Sequence, residues 1–150
     1  KSEGAVYLGY GDTTEYPGKK KMMALYPDHA VIEDYDEDPR MLEHLPAKNI
    51  LIGLSPHASK ALERPLPRTF IGIAKSGQIV IFSSSMASQN SADRMLRMFG
   101  ADPDQTMMLD GGTSSHLIQT GKVLVPSTSA GKRKYAREKL PQIVGVEGAR

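Results

Sequence analysis

The sequence centres on one stretch, Thr106-Met107-Met108-Leu109-Asp110-Gly111-Gly112-Thr113-Ser114-Ser115-His116-Leu117-Ile118. Apolar residues open and close it, which predicts a buried strand, a tight turn and a second strand. Gly111 and Gly112 have no Cβ atoms, so the backbone of the turn can adopt positive φ and approach a ligand closely. Successive free N–H groups in such a turn can form a concavity that binds an anion.

Polar residues are concentrated at this turn. Asp110 ends the apolar run, and Thr113, Ser114 and Ser115 follow the glycines. A structural turn does not need that density of polar groups, so the turn is a candidate ligand-binding site. The structural alternatives are an aspartate that caps the Gly-Gly backbone and hydroxyl groups that only satisfy the turn.

The stretch Met108 to Ser115 resembles the Leu-Asp-Gly-Gly-Gly-Ser-Ser signature of the phosphodiester glycosidase family. That family includes the N-acetylglucosamine phosphodiester glycosidase and bacterial relatives. Thr113 takes the place of the third glycine in the signature. A second segment, Arg68-Thr69-Phe70-Ile71-Gly72-Ile73, is similar to the Arg-Thr-x-Ile-Gly segment that precedes the signature in the family.

The remaining landmarks follow in the family's order. A helical pattern over 88–100 leads into the central stretch, and residues 136–146 resemble the closing segment of the family. There, Glu138-Lys139-Leu140 replaces the usual Glu-Arg-Pro. The resemblance therefore extends from about Ile50 to Val146.

The resemblance implies a hydrolase that cleaves the glycosidic bond of a sugar phosphodiester. Asp110 would stabilise oxocarbenium-like charge at the sugar carbon, or act as acid or base. The amides of Gly111 and Gly112 would hold the anion together with Arg68, which can form a bidentate contact. The hydroxyl groups of Thr113, Ser114 and Ser115 would bind sugar or phosphate oxygens. For Arg68, a surface arginine before a strand is an equal alternative.

The family also carries an Asn-Gly-Gly-Phe-Phe-type segment nearer its N terminus, which we do not find here. Either the chain starts after that segment, or the protein lacks it. We expect residues 1–150 to form one domain of this family without its N-terminal part. The missing segment and Thr113 modestly favour an alternative function, a non-catalytic glycan-binding module of an envelope or phage protein. A third hypothesis is a domain with a purely structural role.

Composition limits the classes of function. With 39% hydrophobic and 24% charged residues, the 150-residue chain suits one globular domain. No apolar run approaches the length of a membrane span. The net charge of +2 gives no reason to expect nucleic acid as a partner. The chain has no cysteine, and no metal or cofactor is expected. We expect a sugar phosphodiester or glycan as partner and an extracellular or cell-envelope location.

The periodicities predict an α+β fold, a mixed or mostly antiparallel sheet with one main helix packed on it at about 88–99. Ala92, Met95, Leu96 and Phe99 form the apolar stripe of that helix. Ser88 or Ser91 is expected to cap the start of the helix, and Gly100 to end it. Residues 58–67 are predicted to form a loop, and Ser76-Gly77 predicts a hairpin between two strands at 69–74 and 78–82. Further strands are predicted at 5–8, 22–26, 30–32, 48–54 and 123–125, and a short helix at 39–45.

Two charged runs are predicted to be solvated. Lys19-Lys20-Lys21 is typical of a loop or a strand start at the surface. Asp34, Asp36 and Asp38 alternate as at the start of a calcium loop. The match then fails, because Pro39 stands where the sharp-turn glycine belongs.

Overall fold

The structure, a computed structural model, describes residues 6–8, 16–47, 49–58, 62–109, 111, 115 and 117–126. These ranges hold two helices, α1 (Pro39–His44) and α2 (Gln89–Met98). They also hold nine strands: β1 (Val6–Leu8), β2 (Lys20–Leu25), β3 (Ala30–Asp34), β4 (Asn49–Leu54), β5 (Leu66–Ala74), β6 (Ile79–Ala87), β7 (Ala101–Met108), β8 (Leu117–Gln119) and β9 (Lys122–Val125). Neither described helix is long and apolar enough to cross a membrane.

One large sheet forms most of the described structure. Its strands run in the order β3-β2-β4-β7-β5-β6, and every neighbouring pair in that order is antiparallel. β1 joins β4 in parallel, and β8 and β9 form a separate hairpin. The predicted mostly antiparallel sheet is confirmed. The α+β class fits only loosely, because strands predominate over two short helices and the described structure is mainly β.

β4 and β7 meet at the register pair Leu54 and Met108. Gly53 makes this meeting possible, because a Cβ atom there would lie 2.6 Å from the carbonyl oxygen of Met108. A second link joins β7 to the edge strand β3. The side-chain amide of Gln105 accepts from the backbone N–H of Ile32 and donates to its carbonyl, both at 2.8 Å. The sheet is therefore curled, and β3 comes close to β7.

The core has three clusters of buried side chains. The first lies on the α2 face of the sheet and contains Leu54, Ala58, Phe70, Ala92, Leu96, Ala101 and Met108. The second lies on the opposite face and contains Met23, Ile32, Ile71, Ile73 and Met107. The third contains Met22, Tyr35, Ile50 and Ile52, with Leu42 of α1 packed against it. Met107 and Met108 are successive residues of β7, and their side chains belong to clusters on opposite faces of the sheet. This strand is therefore covered on both faces.

Helix α2 begins and ends as its sequence predicts. The Ser88 hydroxyl caps the first turn by accepting a hydrogen bond from the backbone N–H of Ser91 at 3.1 Å. Gly100 ends the helix with a φ of +96°. The helix packs closely on β5 at Gly72, where a Cβ atom would lie 2.9 Å from a methyl carbon of Leu96.

The predicted apolar stripe of α2 is correct at Ala92 and Leu96, which are fully buried. It is wrong at Phe99, which is 65% exposed. Phe99 is the C-cap, so it lies beyond the last helical residue and the chain turns away at Gly100.

β5 begins earlier than predicted and includes Pro67, which the sequence placed in a loop. The register shifts between Leu66 and Arg68, and this irregularity accommodates a residue that cannot donate to the ladder. β6 likewise continues to Ala87, past the predicted end at Phe82.

Replacing Gly53 with alanine should reduce the free energy of unfolding by about 1–3 kcal/mol, because the new methyl group would overlap the Met108 carbonyl. Urea denaturation measures the change. Ser76→Ala, in the exposed turn between β5 and β6, is the control and should change stability by less than about 0.5 kcal/mol. Equal stability of the two variants would contradict this account of the β4–β7 contact.

Candidate functional site

The end of β7 lies beside the beginning of β5. Pairing continues one residue past β7, because the backbone N–H of Leu109 donates to the carbonyl of Thr69 at 2.9 Å. Gly111 then passes close to β5. A Cβ atom on Gly111 would lie 3.0 Å from the Pro67 carbonyl oxygen and 4.0 Å from the Cδ atom of Arg68. The missing side chain at Gly111 is thus what lets the turn approach Arg68.

Arg68 is a buried residue of β5, with only 2% of its surface exposed. Arg68 is therefore not a surface arginine, which was the alternative interpretation of the sequence. It pairs with Ser84 of β6, and its side chain lies on the same face as Phe70, which is two residues further along β5. One terminal nitrogen of the guanidinium lies 3.9 Å from the Met108 sulfur. Because arginine stays protonated in proteins, this position keeps a positive charge inside the fold.

Ser115 is the described hydroxyl residue of the turn, and it is fully buried. Within the part of the chain that the structure describes, its Oγ atom has no hydrogen-bond partner. A buried hydroxyl without a partner costs about 1–3 kcal/mol. The Ser115 hydroxyl is therefore a buried polar group whose hydrogen-bonding capacity the described residues do not use. Asp110, Gly112, Thr113 and Ser114 lie outside the described residues, so the roles assigned to them stay predictions.

A second buried cation, Lys20, was missed in the sequence. It is the first residue of β2 and is 2% exposed, so the expectation of a solvated lysine is wrong at this position. Lys20 faces Leu54 across β2 and β4, and Leu54 faces Met108. The available signal was alternation, since Lys20 stands two residues before the buried Met22 of the same strand.

The carboxylate of Glu37 compensates the charge of Lys20. Its Oε2 atom lies 3.0 Å from the Lys20 ammonium, and its Oε1 atom accepts from the backbone N–H of Gly18 at 2.9 Å. The hydrogen bond from Lys20, aided by that from Gly18, holds the pKa of Glu37 below its ordinary value. Glu37 also has a φ of +69°, a conformation that costs a non-glycine residue about 1–3 kcal/mol. The two contacts hold the residue in this strained conformation.

The other acidic residues of this segment bind protein groups. Asp38 caps α1 and accepts from the guanidinium of Arg40, which lowers the pKa of Asp38. Asp36 accepts from the backbone N–H of Asp38 at 2.9 Å, and Asp34 lies 3.2 Å from the ammonium of Lys21. In the described ranges, no group of three histidine, aspartate or glutamate side chains is arranged to hold a metal ion.

Lys20 and Arg68 lie on one face of the sheet and on either side of the end of β7. Lys20 is in β2 and Arg68 in β5, three strand spacings apart in the order β2-β4-β7-β5. That separation is about 14 Å along the sheet at about 4.8 Å a spacing. The Lys20 ammonium is paired with Glu37, so of the two cations Arg68 is the one that lies beside Gly111 and the end of β7.

Comparison with known protein families gives a match. A family model described as phosphodiester glycosidase matches residues 17–147. The match covers Lys20, Arg68 and the whole glycine turn, and so includes every candidate residue discussed above. A search of the curated proteins found no match.

The variant Lys20→Met should make stability less dependent on pH under acidic conditions. The pKa of Glu37 is lowered in the folded protein, so its ionised form stabilises the wild type above the unfolded value, 4.5. That stabilisation is lost as the pH falls through the folded pKa. Without Lys20, unfolding free energies from urea denaturation should fall less steeply between about pH 5 and about pH 3.

Lys21→Met is the matched control, because the carboxylate that pairs with Lys21 belongs to Asp34, which is 90% exposed. This variant should keep the wild-type pH dependence. An unchanged slope in Lys20→Met would show that the Lys20–Glu37 pair does not stabilise the fold.

Proposed function

The chain belongs to the phosphodiester glycosidase family, and on that premise we propose that it hydrolyses the glycosidic bond of a sugar phosphodiester. Water adds across the bond between the sugar C1 carbon and the phosphate oxygen. The C1–O bond breaks, its electron pair stays with the phosphate oxygen, and the hydroxyl group of water bonds to C1. The products are the free sugar and a phosphomonoester. A diester of N-acetylglucosamine is the substrate that the family resemblance implies.

The observation that carries the proposal is the burial of Arg68 beside the backbone of Gly111. Arg68 is 2% exposed, and its Cδ atom lies 4.0 Å from the position of a Cβ atom on Gly111. A phosphodiester carries one negative charge and two free oxygens, which match the two parallel N–H groups of a guanidinium. Arginine is suited to this task because its fork is planar and permanently charged.

Ser115 adds a neutral hydrogen-bonding group to the same turn. Its buried Oγ atom has no partner among the described residues, so an oxygen of the substrate can satisfy it. Negative charge on the phosphate oxygen grows as the glycosidic bond breaks. Donors that are already fixed near that oxygen, such as Arg68, stabilise this charge without reorganising during the reaction.

Asp110 completes the proposed mechanism. A carboxylate next to the anion site can stabilise positive charge at the sugar carbon. It can also act as an acid towards the leaving phosphate oxygen or as a base that takes a proton from the attacking water. Lys20 is too far from Arg68 for both to contact one phosphate group. Its charge is compensated by Glu37, so Lys20 has no role in holding the phosphate in this proposal.

The variant Asp110→Asn should fold normally and still bind sugar phosphate, while turnover falls by about 100-fold or more. The asparagine keeps the size and most hydrogen bonds of the aspartate, but it cannot carry the charge. The assay is release of free sugar from a panel of sugar phosphodiesters. A domain that only binds glycans would show no turnover in the wild type. Full activity in a folded Asp110→Asn protein would rule out a catalytic role for this residue.

Arg68→Lys should weaken binding of a sugar phosphodiester about tenfold, because lysine keeps the charge but not the bidentate contact. Isothermal titration calorimetry measures the dissociation constant. Arg64→Lys is the control, since Arg64 is exposed in the connection between β4 and β5, and this variant should bind as the wild type does. Unchanged binding in Arg68→Lys would remove Arg68 from the site.

A further inference from the structure

An open groove of about 540 Å³ lies between β6 and the first turns of α2. Ser84 of β6 lines the groove, and Ser84 is also the register partner of Arg68. The groove therefore begins one strand away from the proposed anion site, at a spacing of about 4.8 Å. A molecule held at Arg68 can extend into it without crossing another element of the sheet.

The walls of the groove present an apolar surface. Phe82 and Met86 come from β6, and Met95 comes from α2. Pro65 and Ala87 extend this surface at its ends. Met86 is 73% exposed, which is unusual for a large apolar side chain, and Met95 is half-buried. Methionine side chains are flexible and polarisable, so they adapt to apolar groups of different shapes.

The polar residues of the groove are already bonded to protein groups. The Ser88 hydroxyl donates to the Ser91 hydroxyl at 2.9 Å. The Ser84 hydroxyl accepts from the backbone N–H of Met86 at 3.1 Å. The carboxylate of Glu63 accepts from the side-chain amide of Asn90.

A sugar ring in the groove would find these polar groups already partly used by the protein and could use only their remaining capacity. An apolar group needs none of them and gains from contact with the methionines and the phenylalanine. The chemistry of the groove therefore favours an apolar occupant over a second sugar.

We propose that this groove binds an alkyl or aryl group on the phosphate of the substrate, on the side opposite the sugar. This inference rests on the proposed function, because it assumes that the phosphate lies at Arg68. The enzyme would then act on sugar phosphodiesters whose leaving group is an apolar phosphomonoester. That phosphomonoester is also the product that the groove would hold after the glycosidic bond is broken.

The experiment compares phenyl phosphate with methyl phosphate, as two phosphomonoesters that differ only in apolar size. Isothermal titration calorimetry with the full chain should show that phenyl phosphate binds about tenfold more tightly. Met86→Ser should reduce the affinity for phenyl phosphate about fivefold and leave that for methyl phosphate unchanged. Met98→Ser is the matched control, because Met98 is also 73% exposed but does not line the groove.

A second measurement locates the ligand directly. With ¹³C-methyl labels on the 8 methionines, phenyl phosphate should shift the signals of Met86 and Met95. The signal of Met98 should stay in place. Methyl phosphate should leave all three unchanged.

The two proposals can fail separately. Equal affinity for the two esters, or equal losses in Met86→Ser and Met98→Ser, would overturn the groove proposal even if sugar phosphodiesters are hydrolysed. A preference for phenyl phosphate that depends on Met86 would support the groove even if no diester is turned over. In that second case the glycosidase proposal would be the one that fails.

Discussion

The approach of Gly53 to the carbonyl of Met108 is the contact on which the sheet depends. It joins β3, β2 and β4 to β7, β5 and β6 at the register pair of Leu54 and Met108. Any side chain at position 53 would begin with an atom 2.6 Å from a backbone oxygen, which cannot move without displacing β7. Because Lys20 belongs to one half and Arg68 to the other, their relative position is set by this contact.

Burial of two cations carries a desolvation cost that the rest of the fold has to offset. Removing a charged side chain from water costs several kcal/mol, and the cost is recovered only through partners with good geometry. For Lys20 the partner is Glu37, which itself takes a strained backbone conformation. Stability alone would favour an apolar residue at the start of β2, since Met22 continues the same face. Residues that break the local rules of folding in this way are expected where a protein has a function.

Much of the fold could be predicted from periodicity and turn residues. Local chemistry determines the helix between Ser88 and Gly100 and the hairpin at Ser76-Gly77. The sequences of these two segments are therefore sufficient to predict them. Long-range contacts leave no comparable signal in the sequence. The sequence around Pro67 is typical of a loop, and only the register shift in β5 shows how a strand accommodates this proline.

The candidate site contains both residues that the sequence singles out and one that it does not. The glycine turn and Arg68 were predicted because each belongs to a recognisable motif, and their functional roles stay predictions. Lys20 could not, because three successive lysines resemble a solvated segment and only pairing with β4 buries the middle one. The groove also had no sequence signal, since its walls come from β6, α2 and the connection that contains Glu63.

The proposed anion site and the proposed groove would together give a bound substrate a direction. With the phosphate at Arg68 and the apolar group beyond Ser84, the leaving group would lie over β6, an edge strand of the described sheet. The glycosidic oxygen would then point the other way along the sheet, towards β7 and β4. The sugar carbon would thus be brought to the turn that follows Met108, where Asp110 stands in the sequence. A reversed substrate would place polar sugar hydroxyls against Met86 and Met95 and would move the reacting carbon away from that carboxylate. Under this proposal the apolar wall selects the productive orientation as well as the leaving group.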